Sequence, residues 1–168
     1  MRHPLPHYEG CYVCGERHPR RLNVRFYVEA ERVVTRLATD ESHQGYPGVV
    51  HGGVIAALPD ETMGWAPCVQ LGRFCVAAEI TVRYLRPAPV GITLVVAGAA
   101  TRAHPRLWEA TGEVRDAEGV LYARGSGKYV PLSEAETERV MALLTVEGRR
   151  MTLREALAAA TGEGSPDG

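Results

Sequence analysis

One long apolar stretch, residues 49–71, dominates the middle of the chain. Its alanine content and spacing predict a helix, and a helix that is apolar on most sides has to be buried on most sides. Runs with the alternation of β-strands flank it at residues 22–28, 32–38, 76–85, 92–100, 107–115 and 120–131. The simplest way to bury such a helix is to wrap an antiparallel sheet around it. The pattern therefore predicts an α+β fold.

The order of these elements divides the chain into three segments. Residues 1–21 contain a Cys-x-x-Cys sequence, residues 22–131 hold the predicted sheet and helix, and residues 132–168 form a tail. In the tail, Ser133-x-x-Glu136 and Thr152-x-x-Glu155 have the spacing of capping boxes, which predicts two short helices. We expect the glycine-rich end of the tail, residues 162–168, to fray.

Charge and hydropathy exclude two classes of partner. The formal net charge is −1 and the 19 basic residues are spread along the chain, so we expect no nucleic-acid partner. No apolar run has the length of a transmembrane helix, so we expect no membrane partner. The first residues, Met1-Arg2-His3-Pro4-Leu5-Pro6, carry no apolar signal region, which predicts a cytoplasmic location.

The Cys-x-x-Cys sequence formed by Cys11 and Cys14 raises the question of a metal. His3, His7 and His18 lie close to it in sequence and are possible further ligands for zinc. A second pair with matching spacing is absent, however, and a lone Cys-x-x-Cys is weak support for a metal site. We therefore expect a packed segment of reduced thiols, with no metal and no cofactor.

The start and middle of the apolar stretch contain the residues best suited to chemistry. Gly52 and Gly53 at a helix start leave backbone N–H groups uncovered, and these stabilise negative charge on an oxygen. Asp60 follows seven residues after Gly53, beside an apolar run that favours partial desolvation and a more basic carboxylate. An alternative stays open, because Pro59 followed by Asp60 and Glu61 is also typical of a helix start.

The motif around these residues carries a resemblance to a known family. His43-x-Gly45-x-x-Gly48-x-x-His51-Gly52-Gly53, followed by Asp60, resembles the signature of PaaI-like (phenylacetic acid degradation type) hotdog thioesterases. Residues 11–15, 83–87 and 124–129 are similar to further stretches of that family, in the same order. The resemblance covers residues 11–131. It implies a hotdog fold that hydrolyses an acyl-CoA, or a related acyl thioester, to a free acid and a thiol.

The resemblance also implies a role for particular residues. The backbone N–H of Gly53 would polarise the thioester carbonyl, Asp60 would act as general base or nucleophile, and His51 would orient the loop or the carbonyl. The residues that we expect to contact the acyl-CoA substrate, with the three cations placed for its phosphates, are Gly52, His43, Tyr46, Arg83, Arg86 and Lys128.

The spacing of the motif indicates that two chains share each site. If residues 52–60 are helical, Gly53 and Asp60 are about 10 Å apart along the axis, given the rise per residue of an α-helix. One thioester carbon cannot contact both groups in one chain, so we expect a homodimer, or a homotetramer built as a dimer of dimers. Gly45 and Ala77 depart from the family, which often has Asn or Gln and Thr at those positions, and this leaves the acyl chain and the rate open.

Other functions are compatible with a hotdog domain. One is a non-catalytic acyl-CoA-binding protein, and another is a hydratase or dehydratase. The spacing from His51 to Asp60 favours the thioesterase over the hydratase.

Overall fold

The computed structural model describes residues 3–162, so residues 163–168, where we expected fraying, lie outside the described residues. In chain order the elements are β1 (Phe26–Glu29), β2 (Arg32–Ala38), a 3-10 turn (Glu41–His43), α1 (Gly52–Leu71), β3 (Cys75–Tyr84), β4 (Thr93–His104), β5 (Leu107–Asp116), β6 (Leu121–Pro131), α2 (Glu134–Met141) and α3 (Leu153–Thr161).

The six strands form one antiparallel sheet in the order β1-β2-β4-β5-β6-β3. Helix α1 packs across β2, β4, β5, β6 and β3, so the sheet wraps around it. This confirms the predicted α+β fold with one long central helix and helices at the C-terminal end. Strands β1 and β3 are the edges of the sheet, and each has one side without a neighbouring strand among the described residues.

Helix α1 begins at Gly52, which decides between the two possible starts. His51 is its N-cap, and the buried face that follows includes Val54 and Leu58. Pro59 therefore lies inside the helix, and the alternative start at that residue is wrong. The cap and the buried apolar face together stabilise the first two turns in spite of the hydrogen bond that a proline removes. The helix ends at Leu71, and its C-cap Gly72 adopts the left-handed conformation with a positive φ of 66°.

A row of three glycines supports the middle of helix α1. Gly98 on β4 is paired with Gly112 on β5, which is paired with Gly125 on β6. A Cβ at Gly98 would lie 2.9 Å from the Thr62 carbonyl oxygen of the helix, and a Cβ at Gly112 would lie 3.0 Å from Met63 Cγ. At Gly98 the helix backbone thus rests almost directly on the sheet, two residues after Asp60.

The first strand is shorter than the sequence predicts. Leu22 and Val24 are buried as their alternation indicates, but the strand begins only at Phe26. Asn23 adopts a positive φ of 57°, which interrupts the extended backbone between the two buried side chains. The predicted turn after β1 is present, with positive φ at Ala30 and Glu31.

Both ends of the described chain pack onto the same core as the sheet. Capping boxes at Ser133 and Thr152 start α2 and α3, as predicted. Leu5 of the N-terminal segment and Leu157 of the tail belong to the apolar cluster that contains α1. No helix within residues 3–162 has both the length and the apolar character that crossing a bilayer requires.

Candidate active site

His51 and the two glycines after it form the beginning of helix α1. The Gly53 N–H donates to His51 Nδ1 at 2.8 Å, and the N–H groups of Val54 and Ile55 donate to the His51 carbonyl. The remaining first-turn amide, that of Gly52, has no acceptor among the described residues. The helix therefore presents one unpartnered N–H at its positive end, which is the place where an oxyanion is stabilised.

A cavity of about 700 Å³ opens in front of this helix start. His51, Gly52 and Tyr46 line it from one side, and Tyr84 and Arg86 line it from the end of strand β3. The Tyr84 hydroxyl donates to the Gly52 carbonyl at 2.9 Å. This contact holds the peptide group that follows the free Gly52 amide. Four of the residues expected from the sequence thus meet at one cavity.

Asp60 lies in a different environment. Its side chain is partly buried, and burial raises the pKa of the carboxyl above its ordinary value. The Tyr129 hydroxyl donates to the Asp60 backbone carbonyl at 3.1 Å, which fixes this turn of α1 against strand β6. The next residue, Glu61, is also partly buried; burial raises its pKa to about 8, and its carboxylate contacts the Cys11 thiol.

Asp60 lines a second cavity, of about 500 Å³, together with Tyr129 and with Val76 and Ala77 of the edge strand β3. His51 and Gly52 do not line this second cavity, and Asp60 does not line the first. Within one chain the two halves of the expected chemistry therefore face separate openings, about two helical turns apart on α1.

The three cations expected to contact the substrate differ in their surroundings. Arg86 lines the cavity in front of His51. Lys128 lies opposite Glu79 across strands β6 and β3, and its Nζ is 2.9 Å from the Glu79 carboxylate. Arg83 is exposed on β3, opposite Arg124 of β6. Arg86 is thus the cation best placed for a ligand in this cavity.

The last two residues expected at the substrate also differ. Tyr46 is 82% exposed and lines the cavity in front of His51. His43 lines neither of the two cavities; its ring Nδ1 accepts the Asp40 N–H at 3.1 Å and caps the 3-10 turn. The His43 carbonyl accepts the His51 N–H at 2.8 Å, so His43 contributes to the position of His51 through its backbone.

Two tyrosines at the site were not predicted from the sequence. Tyr84 contacts Gly52 and Tyr129 contacts Asp60, in both cases through a hydroxyl that donates to a helix carbonyl. Both tyrosines belong to stretches that resemble the family, residues 83–87 and 124–129. Their place in these stretches was the one indication that the sequence offered. The strand register, which the sequence does not contain, brings the two hydroxyls to α1.

Comparisons with known proteins give the family that this chain is similar to. Residues 47–123 match the model of the family described as the thioesterase superfamily. The acyl-coenzyme A thioesterase THEM4 of Xenopus laevis is 28% identical over 109 residues, which cover 64% of this chain and 49% of that protein. Acyl-coenzyme A thioesterase 13 of Mus musculus is 28% identical over 67 residues, covering 39% of this chain and 48% of that protein. The chain spans about half the length of these curated relatives.

Solved structures extend the likeness to the fold. A crystal structure of a thioesterase superfamily protein superimposes with a TM-score of 0.66 at 28% identity, covering 71% of this chain and 62% of the other. The PaaI protein of Escherichia coli gives a TM-score of 0.61 at 20% identity, with coverage of 67% and 81%. A Streptococcus mutans protein bound to acetyl CoA also gives 0.61 at 20% identity, with coverage of 69% and 95%. The segment from residue 47 to residue 123 matches the thioesterase superfamily, and the fold is that of the hotdog thioesterase structures with which the chain superimposes.

Proposed function

We propose that this protein hydrolyses acyl-CoA thioesters at sites shared between two copies of the chain. One copy supplies the helix start at His51 and Gly52, which binds the thioester carbonyl. The other supplies Asp60, which activates water or attacks the carbonyl carbon itself.

One observation carries the proposal: the free amide at the start of α1 and the Asp60 carboxylate open onto separate cavities of one chain. A second copy that packs against the edge strand β3 brings one cavity of each kind together. Strand β3 is suited to this contact, because its outer edge is unpaired and Val76 and Tyr84 are 52% and 53% exposed. We propose a homodimer, or a tetramer made of two such dimers.

The reaction then follows from the groups present. The Asp60 carboxylate takes a proton from water while the water oxygen forms a bond to the thioester carbon. The carbonyl oxygen becomes an oxyanion that accepts the N–H at the helix start. When the oxyanion re-forms the carbonyl, the carbon–sulfur bond breaks and the CoA sulfur leaves with the proton that Asp60 carried. If Asp60 attacks first, its carboxylate bonds to the carbonyl carbon, the carbon–sulfur bond breaks and CoA leaves as the thiolate, which gives an anhydride. Water then hydrolyses the anhydride to the free acid and the Asp60 carboxylate, and the proton released from water protonates the CoA thiolate.

The geometry favours Gly52 over Gly53 as the oxyanion donor. The Gly53 amide, to which the family resemblance assigns this role, already donates to His51 Nδ1, whereas the Gly52 amide has no acceptor among residues 3–162. In this proposal Gly52 polarises the carbonyl, and Gly53 holds the imidazole of His51 in place.

Substrate and location complete the proposal. The acetyl CoA bound to the Streptococcus mutans relative supports CoA as the thiol carrier, and Arg86, which lines the first cavity, is the proposed contact for its phosphates. We also propose a cytoplasmic location, with which the four free thiols of Cys11, Cys14, Cys68 and Cys75 agree.

The decisive experiment is a hydrolysis screen with thiol detection, using short, long and aromatic acyl-CoAs. We expect thiol release from at least one of them, and loss of that release in Asp60→Asn. A folded protein that binds acyl-CoAs without releasing thiol would instead establish the non-catalytic acyl-CoA-binding function.

A further inference from the structure

The N-terminal Cys-x-x-Cys segment folds directly onto helix α1. The Cys11 and Cys14 sulfurs and a Glu61 carboxylate oxygen all lie within 4.8 Å of one another. The Cys11 sulfur is 3.5 Å from Glu61 Oε2. The fold thus brings Glu61 next to two cysteines that precede it by about fifty residues, and the three metal-ligating side chains meet at one point.

The loop between the two cysteines is shaped around the Cys11 sulfur. The backbone N–H groups of Val13 and Cys14 donate to this sulfur at 3.3 and 3.4 Å, and the Gly15 N–H donates to the Cys11 carbonyl at 2.9 Å. A Cβ at Gly15 would lie 2.3 Å from that carbonyl oxygen, so the turn requires glycine. Two amides directed at one sulfur stabilise a thiolate, which is the form that binds metals.

The carboxylate of this cluster lacks a positively charged partner. Within residues 3–162 Glu61 forms no salt bridge, and its side-chain hydrogen bonds come from the Cys11 thiol. Burial disfavours the ionised form of a carboxylate, and a cation bound beside the carboxylate restores that form. No cationic side chain within residues 3–162 takes this position.

We propose that Cys11, Cys14 and Glu61 bind a zinc ion. Tetrahedral zinc with sulfur and oxygen ligands at ordinary bond lengths separates the two ligand atoms by about 3.6 Å, close to the 3.5 Å between Cys11 and Glu61. Two thiolates with one carboxylate suit zinc better than magnesium or calcium, which prefer oxygen ligands alone. His7 is not among the clustered ligand atoms, so water completes the four ligands.

The ion ties the N-terminal segment to the turn of α1 that follows Asp60. Its role is structural, and it stands independently of the proposed hydrolysis, because none of the three ligands takes part in that reaction. Removal of the ion frees the loop around Cys11 and exposes the buried face of α1 under Val13, which is 8% exposed in the folded chain.

Metal content of the purified, reduced protein tests the proposal. We expect one zinc per chain by mass spectrometry of the metal after exhaustive desalting. A Cys11→Ser/Cys14→Ser variant should lose this zinc, and Glu61→Gln should release it faster to a colorimetric chelator. The matched control is Cys68→Ser/Cys75→Ser. The wild-type thiols at these positions lie 3.6 Å apart and outside the cluster of Cys11, Cys14 and Glu61, so this variant should keep its zinc.

A second measurement covers the case in which a variant fails to fold. Cobalt added to the metal-free wild-type protein should produce a sulfur-to-cobalt charge-transfer band that saturates at one equivalent, and zinc should abolish it. Zinc should also raise the melting temperature of the metal-free protein by ~5 °C or more. A folded, reduced protein with no zinc and no cobalt band overturns the proposal, as does a disulfide between Cys11 and Cys14 under reducing purification.

Discussion

The imidazole of His51 caps the helix that begins beside it, with Nδ1 accepting the Gly53 N–H at 2.8 Å. Because Nδ1 is the acceptor, a neutral ring carries its proton on Nε2. The same contact occupies the second amide of the helix and leaves the first, that of Gly52, without an acceptor within residues 3–162. A single side chain thus both stabilises the helix and determines which of its amides is free.

Replacement of His51 separates these two effects. His51→Ala removes the cap and should lower the free energy of unfolding by about 1 kcal/mol, together with a loss of activity. His51→Asn keeps an acceptor for the Gly53 amide and should unfold like the wild type, as measured by chemical denaturation. Equal activity in wild type and His51→Asn would show that capping is the whole contribution of the imidazole.

The choice between two adjacent carboxylates is open to a direct comparison. Asp60→Asn should lower kcat by about 100-fold or more, because the group that accepts the proton or attacks the carbon is lost. Glu61→Gln should retain most of the activity of folded protein, since Glu61 contacts Cys11. Steady-state kinetics on both variants, with circular dichroism as the check of folding, measure this. The reverse order of effects would identify Glu61 as the catalytic carboxylate.

Recognition of CoA should depend on one cation more than on the others. Arg86→Gln should raise KM for acyl-CoA roughly threefold to tenfold through loss of a phosphate contact, without a change in folding. Lys128→Gln is the matched control, because Lys128 already pairs with Glu79 at 2.9 Å. A short acyl thioester of N-acetylcysteamine, which lacks the phosphates, should show the same KM with Arg86→Gln as with the wild type. A raised KM for this truncated thioester would refute the phosphate contact.

A shared site predicts rescue between two inactive chains. A Cβ at Gly53 would lie 2.9 Å from His51 Nδ1, so Gly53→Val displaces the imidazole and damages the helix start. Mixed with Asp60→Asn by co-refolding, it should give heterodimers with one intact site and one doubly damaged site. Activity should then follow the heterodimer fraction measured by native mass spectrometry. Confirmed heterodimers without activity, or a fully active monomer, would place each site within one chain.

The glycine row gives a prediction about stability alone. Gly98→Ala should lower the free energy of unfolding by about 1–3 kcal/mol, because its Cβ would lie 2.9 Å from the Thr62 carbonyl oxygen. That oxygen belongs to the helix backbone, which cannot change rotamer to relieve the clash. Ser126→Ala is the control, on an exposed position next to Gly125. Urea denaturation of both variants measures the difference. No loss of stability in Gly98→Ala would mean that α1 does not rest on the sheet as described.

Local patterns in the sequence were sufficient for much of the fold. An apolar stretch of this length requires burial whatever surrounds it, so the central helix could be predicted from residues 49–71 alone. The boxes at Ser133 and Thr152 are formed within one helical turn, and the structure confirms them. The predicted start of β1 at Leu22 was wrong, because the strand begins at Phe26. Alternation indicates which side chains are buried, but it does not indicate whether the backbone between them is extended, and at Asn23 the backbone is not.

Much of the candidate site depends on contacts that the sequence does not contain. The pairing of Lys128 with Glu79 follows from the register between β3 and β6, which fixes which charges lie opposite each other. The hydroxyls of Tyr84 and Tyr129 reach α1 for the same reason. The contact from His51 to the Gly53 amide is local, but it depends on a side-chain rotation that the sequence leaves free.

Gly98 sets the depth of α1 by contact with the helix main chain, and Gly112 and Gly125 leave room for the Met63 side chain beneath the helix. This has a consequence for how such a protein diversifies. Side chains that line the cavities at Tyr46 or Val76 can change in size while the height of the helix above the sheet stays constant. A methyl group added at Gly98 has the opposite effect, because it displaces the whole helix. Asp60 lies close to the point of contact and moves with the helix. Variation in acyl preference is therefore expected at the cavity walls, whereas the floor beneath the helix tolerates none.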